Sequence, residues 1–214
     1  MVFTLRTLLE RNKALHYVIA TVFILGIPFL FYFLTQFSTL TFASQSYGLK
    51  VDRKIEGFKL SGRGGIPVTL DTFRGQNIFI FFGFTSCKTT CPATLQTMAR
   101  LNQRLAGNFK YVFISVDSVR DNEKHLAHFE KNLGSKITFL HGKEDTLRQI
   151  AKQFSATFKI DKDEARNSKD YQMSHSSFLY LVDHKGRLKF IYPEVNPDIE
   201  KIIADITKMK EVQT

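Results

Sequence analysis

Cys87 and Cys91 are the only cysteines in the chain, set in Phe84-Thr85-Ser86-Cys87-Lys88-Thr89-Thr90-Cys91-Pro92. Two thiols at this spacing can cycle between dithiol and disulfide, or can capture a soft metal as thiolates. A purely structural cross-link is a weaker motive. A disulfide across three intervening residues closes a very short loop and removes little entropy from the unfolded chain. The chain also has six histidines. His125 and His128 lie three apart on an expected helix, where solvation explains them without a metal. His141 at a strand end and His184 in a turn read as bystanders.

Elements on both sides must position the thiols. Asn77-Ile78-Phe79-Ile80-Phe81-Phe82 is a near-continuous apolar run, which reads as a strand covered on both faces. After the cysteines, Pro92 to Leu105 carries Leu95, Met98, Ala99 and Leu105 on one helical face. Pro92 suits a first helical position and disfavours helical geometry at Cys91, so the turn is expected to open onto a helix N-terminus at Pro92. That terminus favours thiolate over thiol.

The alternation continues along the chain. Gly57 to Leu60 and Ile66 to Leu70 read as short strands, Lys110 to Val116 as a strand, and Asp121 to Leu133 as a helix capped by Asp121. Lys136 to Leu140 is an expected strand, Asp145 to Phe154 a helix, and Lys159 to Tyr171 a charged, exposed loop. Ser177 to Val182 and Leu188 to Tyr192 flank Asp183-His184-Lys185-Gly186, a hairpin turn, before a helix over Pro197 to Lys210. This order predicts an α/β fold with a mixed central sheet flanked by helices.

The N-terminus has a different character. No Lys, Arg, Asp or Glu occurs between Lys13 and Lys50, and Tyr17 to Leu34 is almost wholly apolar. As a helix those residues rise about 27 Å, close to the hydrocarbon thickness of a bilayer. Arg6, Arg11 and Lys13 precede the span, which places the N-terminus in the cytoplasm by the positive-inside rule. The expected organisation is a cytoplasmic segment over 1–16, a transmembrane anchor over 17–37 (the alternative is a signal cleaved near Ala43), a linker over 38–54 and a globular domain over 55–210. Outside the cytoplasm, two cysteines form a disulfide by default, which makes reversible chemistry at this pair the more telling reading. The net charge of +10 comes from dispersed basic residues without an aromatic-laced block, so nucleic acid is not an expected partner.

The order of elements resembles a thioredoxin-like fold. In that fold the segment ahead of the late hairpin lies beside the cysteine turn; here it is Tyr171-Gln172-Met173-Ser174-His175. Two thiolates and one imidazole make a soft, low-coordinate set suited to copper. Met173 beside it reads as packing. The chain is similar to the Sco/SenC family, membrane-anchored copper proteins that assist assembly of cytochrome c oxidase. The resemblance rests on Phe58-Lys59-Leu60, Asp71-Thr72-Phe73-Arg74-Gly75, Phe82-Gly83-Phe84-Thr85 leading into Cys87 and Cys91-Pro92, Ser115-Val116-Asp117-Ser118-Val119-Arg120-Asp121, and His175. It implies one copper ion, Cu(I) or Cu(II), per monomer on Cys87, Cys91 and His175. It further implies a periplasmic domain on a bacterial inner membrane, acting on the binuclear copper site of oxidase subunit II or on another copper or thiol protein. Three residues depart from the family pattern: Lys88 and Ser118 stand where proline is usual, and Ser174 where aspartate is usual. The alternative function is a thiol-disulfide oxidoreductase that uses Cys87 and Cys91 without His175 as a ligand. A peroxiredoxin-like peroxidase would need a proline-threonine-cysteine arrangement that the chain lacks.

Overall fold

The computed structural model describes residues 16–17, 20–42, 46–105, 107, 109–133, 136–160, 171 and 173–211. The apolar N-terminal run forms a π-helical turn, Val22–Gly26, that continues as α1 (Ile27–Phe42). Pro28 has no N–H to give to the preceding turn, and a widened π turn accommodates that loss. Among the described residues, no helix is long and apolar enough to cross a membrane. Residues 1–15, expected to be cytoplasmic, lie outside the described residues. This helix belongs to one compact unit, Met1–Gln45, and everything that follows to a second, Ser46–Thr214.

The second unit begins with β1 (Leu49–Lys54), β2 (Lys59–Ser61), β3 (Pro67–Thr69) and β4 (Asn77–Gly83). It continues with α2 (Thr90–Arg104), β5 (Phe109–Ser115), α3 (Glu123–Leu133), β6 (Ile137–Leu140) and α4 (Glu144–Gln153). The last elements are β7 (Phe158–Ile160), β8 (Met173–His175), β9 (Leu179–Val182), β10 (Arg187–Tyr192) and α5 (Ile199–Glu211). Six strands form the central sheet in the order β1-β10-β9-β4-β5-β6. The pairs β4/β5 and β5/β6 are parallel, and the other three are antiparallel. The sheet is therefore mixed, as the alternation of elements requires.

β4 is buried at all of its residues, which is why its sequence shows no alternation. Aromatic rings bind it to its neighbours: Phe79 stacks on Tyr111 at 5.6 Å, and Phe81 meets Phe113 edge-on at 5.8 Å. Such aromatic pairs contribute about 0.5–1.5 kcal/mol each beyond the area they bury. On α2, Cys91, Thr94, Leu95, Thr97, Met98 and Leu101 are buried, and these form the helix's core-facing side.

Two expectations are corrected. The linker expected over 38–54 gives way at Leu49, where β1 pairs antiparallel with β10. It is an edge strand, exposed at Leu49, Lys50, Asp52, Arg53 and Lys54. Charges that protect a sheet edge also hide the strand's alternation. Its start is fixed by Asp205 of α5, whose carboxylate accepts from the amides of Tyr47 and Gly48 at 3.0 and 2.8 Å. The loop expected over 159–171 begins instead inside β7, which pairs with β8 as a separate two-stranded sheet. The rest of that loop, residues 161–170, lies outside the described residues.

Candidate metal centre

β4 delivers the chain to the site through Gly83, whose missing side chain makes room for a sulfur. A Cβ on Gly83 would lie 2.9 Å from Cys91 Sγ and 2.8 Å from the Phe81 ring. Past Gly83 the chain turns, and Asp121 staples the turn. Its carboxylate accepts from the Thr85 amide at 2.9 Å, from the Thr85 hydroxyl, and from the Ser115 hydroxyl at 2.6 Å. Asp121 is thus not the helix cap expected of it. α3 starts later, and Asn122 Oδ1 accepts from the His125 amide at 3.0 Å in that role.

α2 begins at Thr90, so Cys91 lies inside its first turn and Pro92 is the third residue rather than the first. First-turn N–H groups have no partner within the helix, so a proline there forfeits nothing. The consequence is chemical: the free amides at this end face the Cys87 sulfur. The thiols are unbridged and buried, Cys87 at 8% exposure and Cys91 at 2%.

His175 arrives from the end of β8. Its ring meets Phe84 edge-on at 5.5 Å and Phe81 at 6.1 Å. Nδ1 faces the Ser176 carbonyl at 3.2 Å. A carbonyl only accepts, so a proton on Nδ1 leaves the Nε2 lone pair to accept from the Cys91 thiol or to bind a metal ion. Nε2 lies 3.6 Å from Cys91 Sγ, and the ligand atoms of Cys87, Cys91 and His175 all fall within 4.8 Å of one another. Ser174 stands on the exposed side of β8 while Met173 is buried, so position 174 faces away from the ring. The ring's backbone partner is the Ser176 carbonyl.

The thiols differ in acidity. Burial opposes ionisation of Cys87. It is outweighed by the amides of Cys91 and Thr89 and by the Thr90 hydroxyl, which hold the thiol down at about 5. Hydroxyl oxygens of Thr90 and Thr89 stand 3.6 and 3.8 Å from its sulfur. Burial pushes Cys91 strongly up, and the neighbouring charge of Cys87 adds to that. The pair therefore presents one thiolate and one proton-bearing thiol, with an imidazole beside them. Two soft sulfurs and a borderline nitrogen fit a copper ion, and the raised thiol must release its proton on binding.

Beside the sulfurs runs an apolar groove of about 320 Å³ between α2 and α3, lined by Leu95, Ala99, Phe129 and Leu133 among others. Of the remaining histidines, His125 reaches the cysteine turn, its Nε2 2.8 Å from the Thr85 hydroxyl. His141 pairs through its backbone with Ser61. In the sequence Asp117, at the end of a strand, reads either as a residue that orients the site or as a cap of the next turn, and Arg120 and Tyr171 carry no assigned role. These form a buried cluster behind His175, with Arg120 donating to Asp117 and, at 2.8 Å, to the Tyr171 carbonyl. Their separation of 51 residues left no local signal.

The SCO1/SenC family model matches residues 49–211. The SCO2-like protein RP587 of Rickettsia prowazekii is 33% identical over 149 residues, which is 67% of this chain and 72% of that protein. Among solved structures, BsSco, a member of the Sco family of cytochrome c oxidase assembly proteins in which a disulfide switch is identified, superposes with a TM-score of 0.63 at 27% identity. That match covers 77% of this chain and 97% of the other. Yeast Sco1 with copper bound superposes with a TM-score of 0.66 at 23% identity over 74% of this chain and 89% of its own, a likeness of fold. The matched segment holds the whole sheet from β1 to α5 together with both cysteines and His175, and on that footing the chain belongs to the SCO1/SenC family.

Proposed function

We propose that this protein is a membrane-anchored copper chaperone that assists assembly of the binuclear copper site of cytochrome c oxidase subunit II. The observation that carries this reading is the convergence of two sulfurs and one imidazole nitrogen within 4.8 Å, in a fold shared with copper-bound yeast Sco1. Cys87, Cys91 and His175 would hold one copper ion per monomer. The Cys87 thiolate is available to it at neutral pH, and Nε2 is oriented by Nδ1 against Ser176. Delivery is ligand exchange: incoming thiolates of the recipient replace His175 or one cysteine, and the copper passes without change of charge.

The anchor is the apolar helix that includes α1. Its large side chains from Val22 to Leu34 are more than half exposed, Phe29 at 70%. Apolar surface of that extent calls for a lipid or protein cover. We place the second unit on the outer face of a bacterial inner membrane, following the charge of Arg6, Arg11 and Lys13.

The test is copper titration of the reduced protein with absorption spectroscopy for thiolate-to-copper charge transfer. One equivalent binds the native chain. Cys87→Ser or Cys91→Ser abolishes the charge-transfer band, and His175→Ala weakens binding at least tenfold. Unchanged copper content and spectrum in His175→Ala would refute the site.

A second reading, thiol-disulfide oxidoreductase, draws on the unequal acidities of Cys87 and Cys91, since a low-pKa thiolate is the attacking group in disulfide exchange. Reductase activity that survives intact in His175→Ala favours it. Absence of reductase activity in the native protein favours copper transfer.

A further inference from the structure

β8 carries His175, yet β8 is not part of the central sheet; it pairs only with β7, in a two-stranded sheet. The ladder that fixes the cysteine turn therefore does not fix the imidazole. Something else must hold β8 against that turn. The turn after β5 supplies a buried ion pair: Asp117 is fully buried and the side chain of Arg120 is 13% exposed. Asp117 also accepts from the Tyr171 hydroxyl and from the amides of Val119 and Arg120. Arg120 spreads over the Tyr171 ring at 3.6 Å and donates to the Tyr171 carbonyl at 2.8 Å. The same guanidinium lies 5.6 Å from the centre of the Phe84 ring, and Phe84 is the ring that meets His175 edge-on. One cluster thus grips the backbone four residues before His175 and also braces the ring that the imidazole rests on.

We propose that Asp117, Arg120 and Tyr171 are positioning residues that hold His175 at the sulfurs, so that ligation by the imidazole depends on an ion pair outside the site. The proposal rests on the copper reading above. A cluster that only stabilised the fold would need neither the carbonyl of Tyr171 nor contact with Phe84. Arginine suits the task because its planar fork can meet a carboxylate, a carbonyl and an aromatic face at once, which a lysine ammonium cannot.

The experiment uses the full chain in detergent, reduced and titrated with Cu(II). Binding is read by affinity, by the thiolate-to-copper band, and by nitrogen hyperfine coupling in electron paramagnetic resonance. Arg120→Lys retains the charge and loses the fork; Tyr171→Phe retains the ring and loses one hydroxyl. Arg120→Lys is expected to weaken Cu(II) binding about tenfold and to diminish the nitrogen coupling while the sulfur band persists. Tyr171→Phe does the same to a smaller degree. In a His175→Ala background, Arg120→Lys has no further effect, because the residue it positions is gone. Native coupling and affinity in both single variants, or losses that add in the double variant, would overturn the proposal. Thermal unfolding monitors the fold; if Arg120→Lys does not fold, Tyr171→Phe decides. A silent His175→Ala control refutes the copper reading and this inference together, whereas a normal control with silent Arg120 and Tyr171 variants refutes this inference alone.

Discussion

The division of labour between the two cysteines is set by where each sulfur sits on one helix end. Cys87 lies ahead of the first turn and collects its unpaired amides, whereas Cys91 lies within that turn and is buried beneath it. Burial alone would raise both thiols. Only Cys87 has enough donors to reverse the sign, down to about 5. Alkylation by iodoacetamide follows the thiolate, so for Cys87 the rate should rise about tenfold per pH unit below pH 5 and level off above about pH 6. An ordinary thiol would go on rising to about pH 8.5. Mass spectrometry at pH 6–7 should find Cys87 modified and Cys91 spared. Equal labelling of the two, or a Cys87 profile still climbing at pH 8, would contradict this asymmetry. Lys88 next to Cys87 is exposed, and the amides of Cys91 and Thr89 with the Thr90 hydroxyl hold the thiol down.

At the scale of elements, the site is a junction of three pieces: the end of β4, the start of α2 and the end of β8. The tightest of these contacts is at Gly83. A methyl there would meet Cys91 Sγ, Phe81 and Phe113, each at under 3.0 Å. Two of those neighbours are rings in the sheet core, so the sulfur is the one that must yield. Gly83→Ala should cost about 1–3 kcal/mol of stability by overpacking, read as a lower midpoint in urea. It should also reduce copper affinity by displacing Cys91. A variant with native stability and native affinity would show that the junction is looser than its distances imply. The Asp121 staple works on the same junction from below. It ties the cysteine turn to the end of β5 through Ser115, so the two parallel strands present their C-terminal ends as one rigid platform.

For the whole molecule, the chain divides at residue 45 into an apolar helical unit and a globular one with its own sheet and core. A protein starting at Ser46 should fold, remain soluble and bind copper with the stoichiometry of the full chain. The full chain should sediment with membranes and need detergent for release. Full-length protein found in the soluble fraction would refute the anchor. Much of this plan was legible in the residues themselves. The apolar run of β4, the helical face of α2, the hairpin turn at Asp183–Gly186 and the paired thiols are all local patterns, written within a few residues of each other and governed by periodicity and turn chemistry. Proximity in space has no such local signature. Nothing near His175 marks it as a partner of Cys87 and Cys91; knowledge of the topology suggested it, and the packing of β8 beside the cysteine turn decided it. Likewise β1 was hidden because an edge strand is charged for its own protection, and the partner of Nδ1 is a backbone carbonyl, which every residue possesses. The chain's own order of residues determined which donor atoms exist and which of them begin close together. Only the tertiary structure determined which meet, because burial, amide direction and the grip of Arg120 on Tyr171 arise between segments that are distant along the chain.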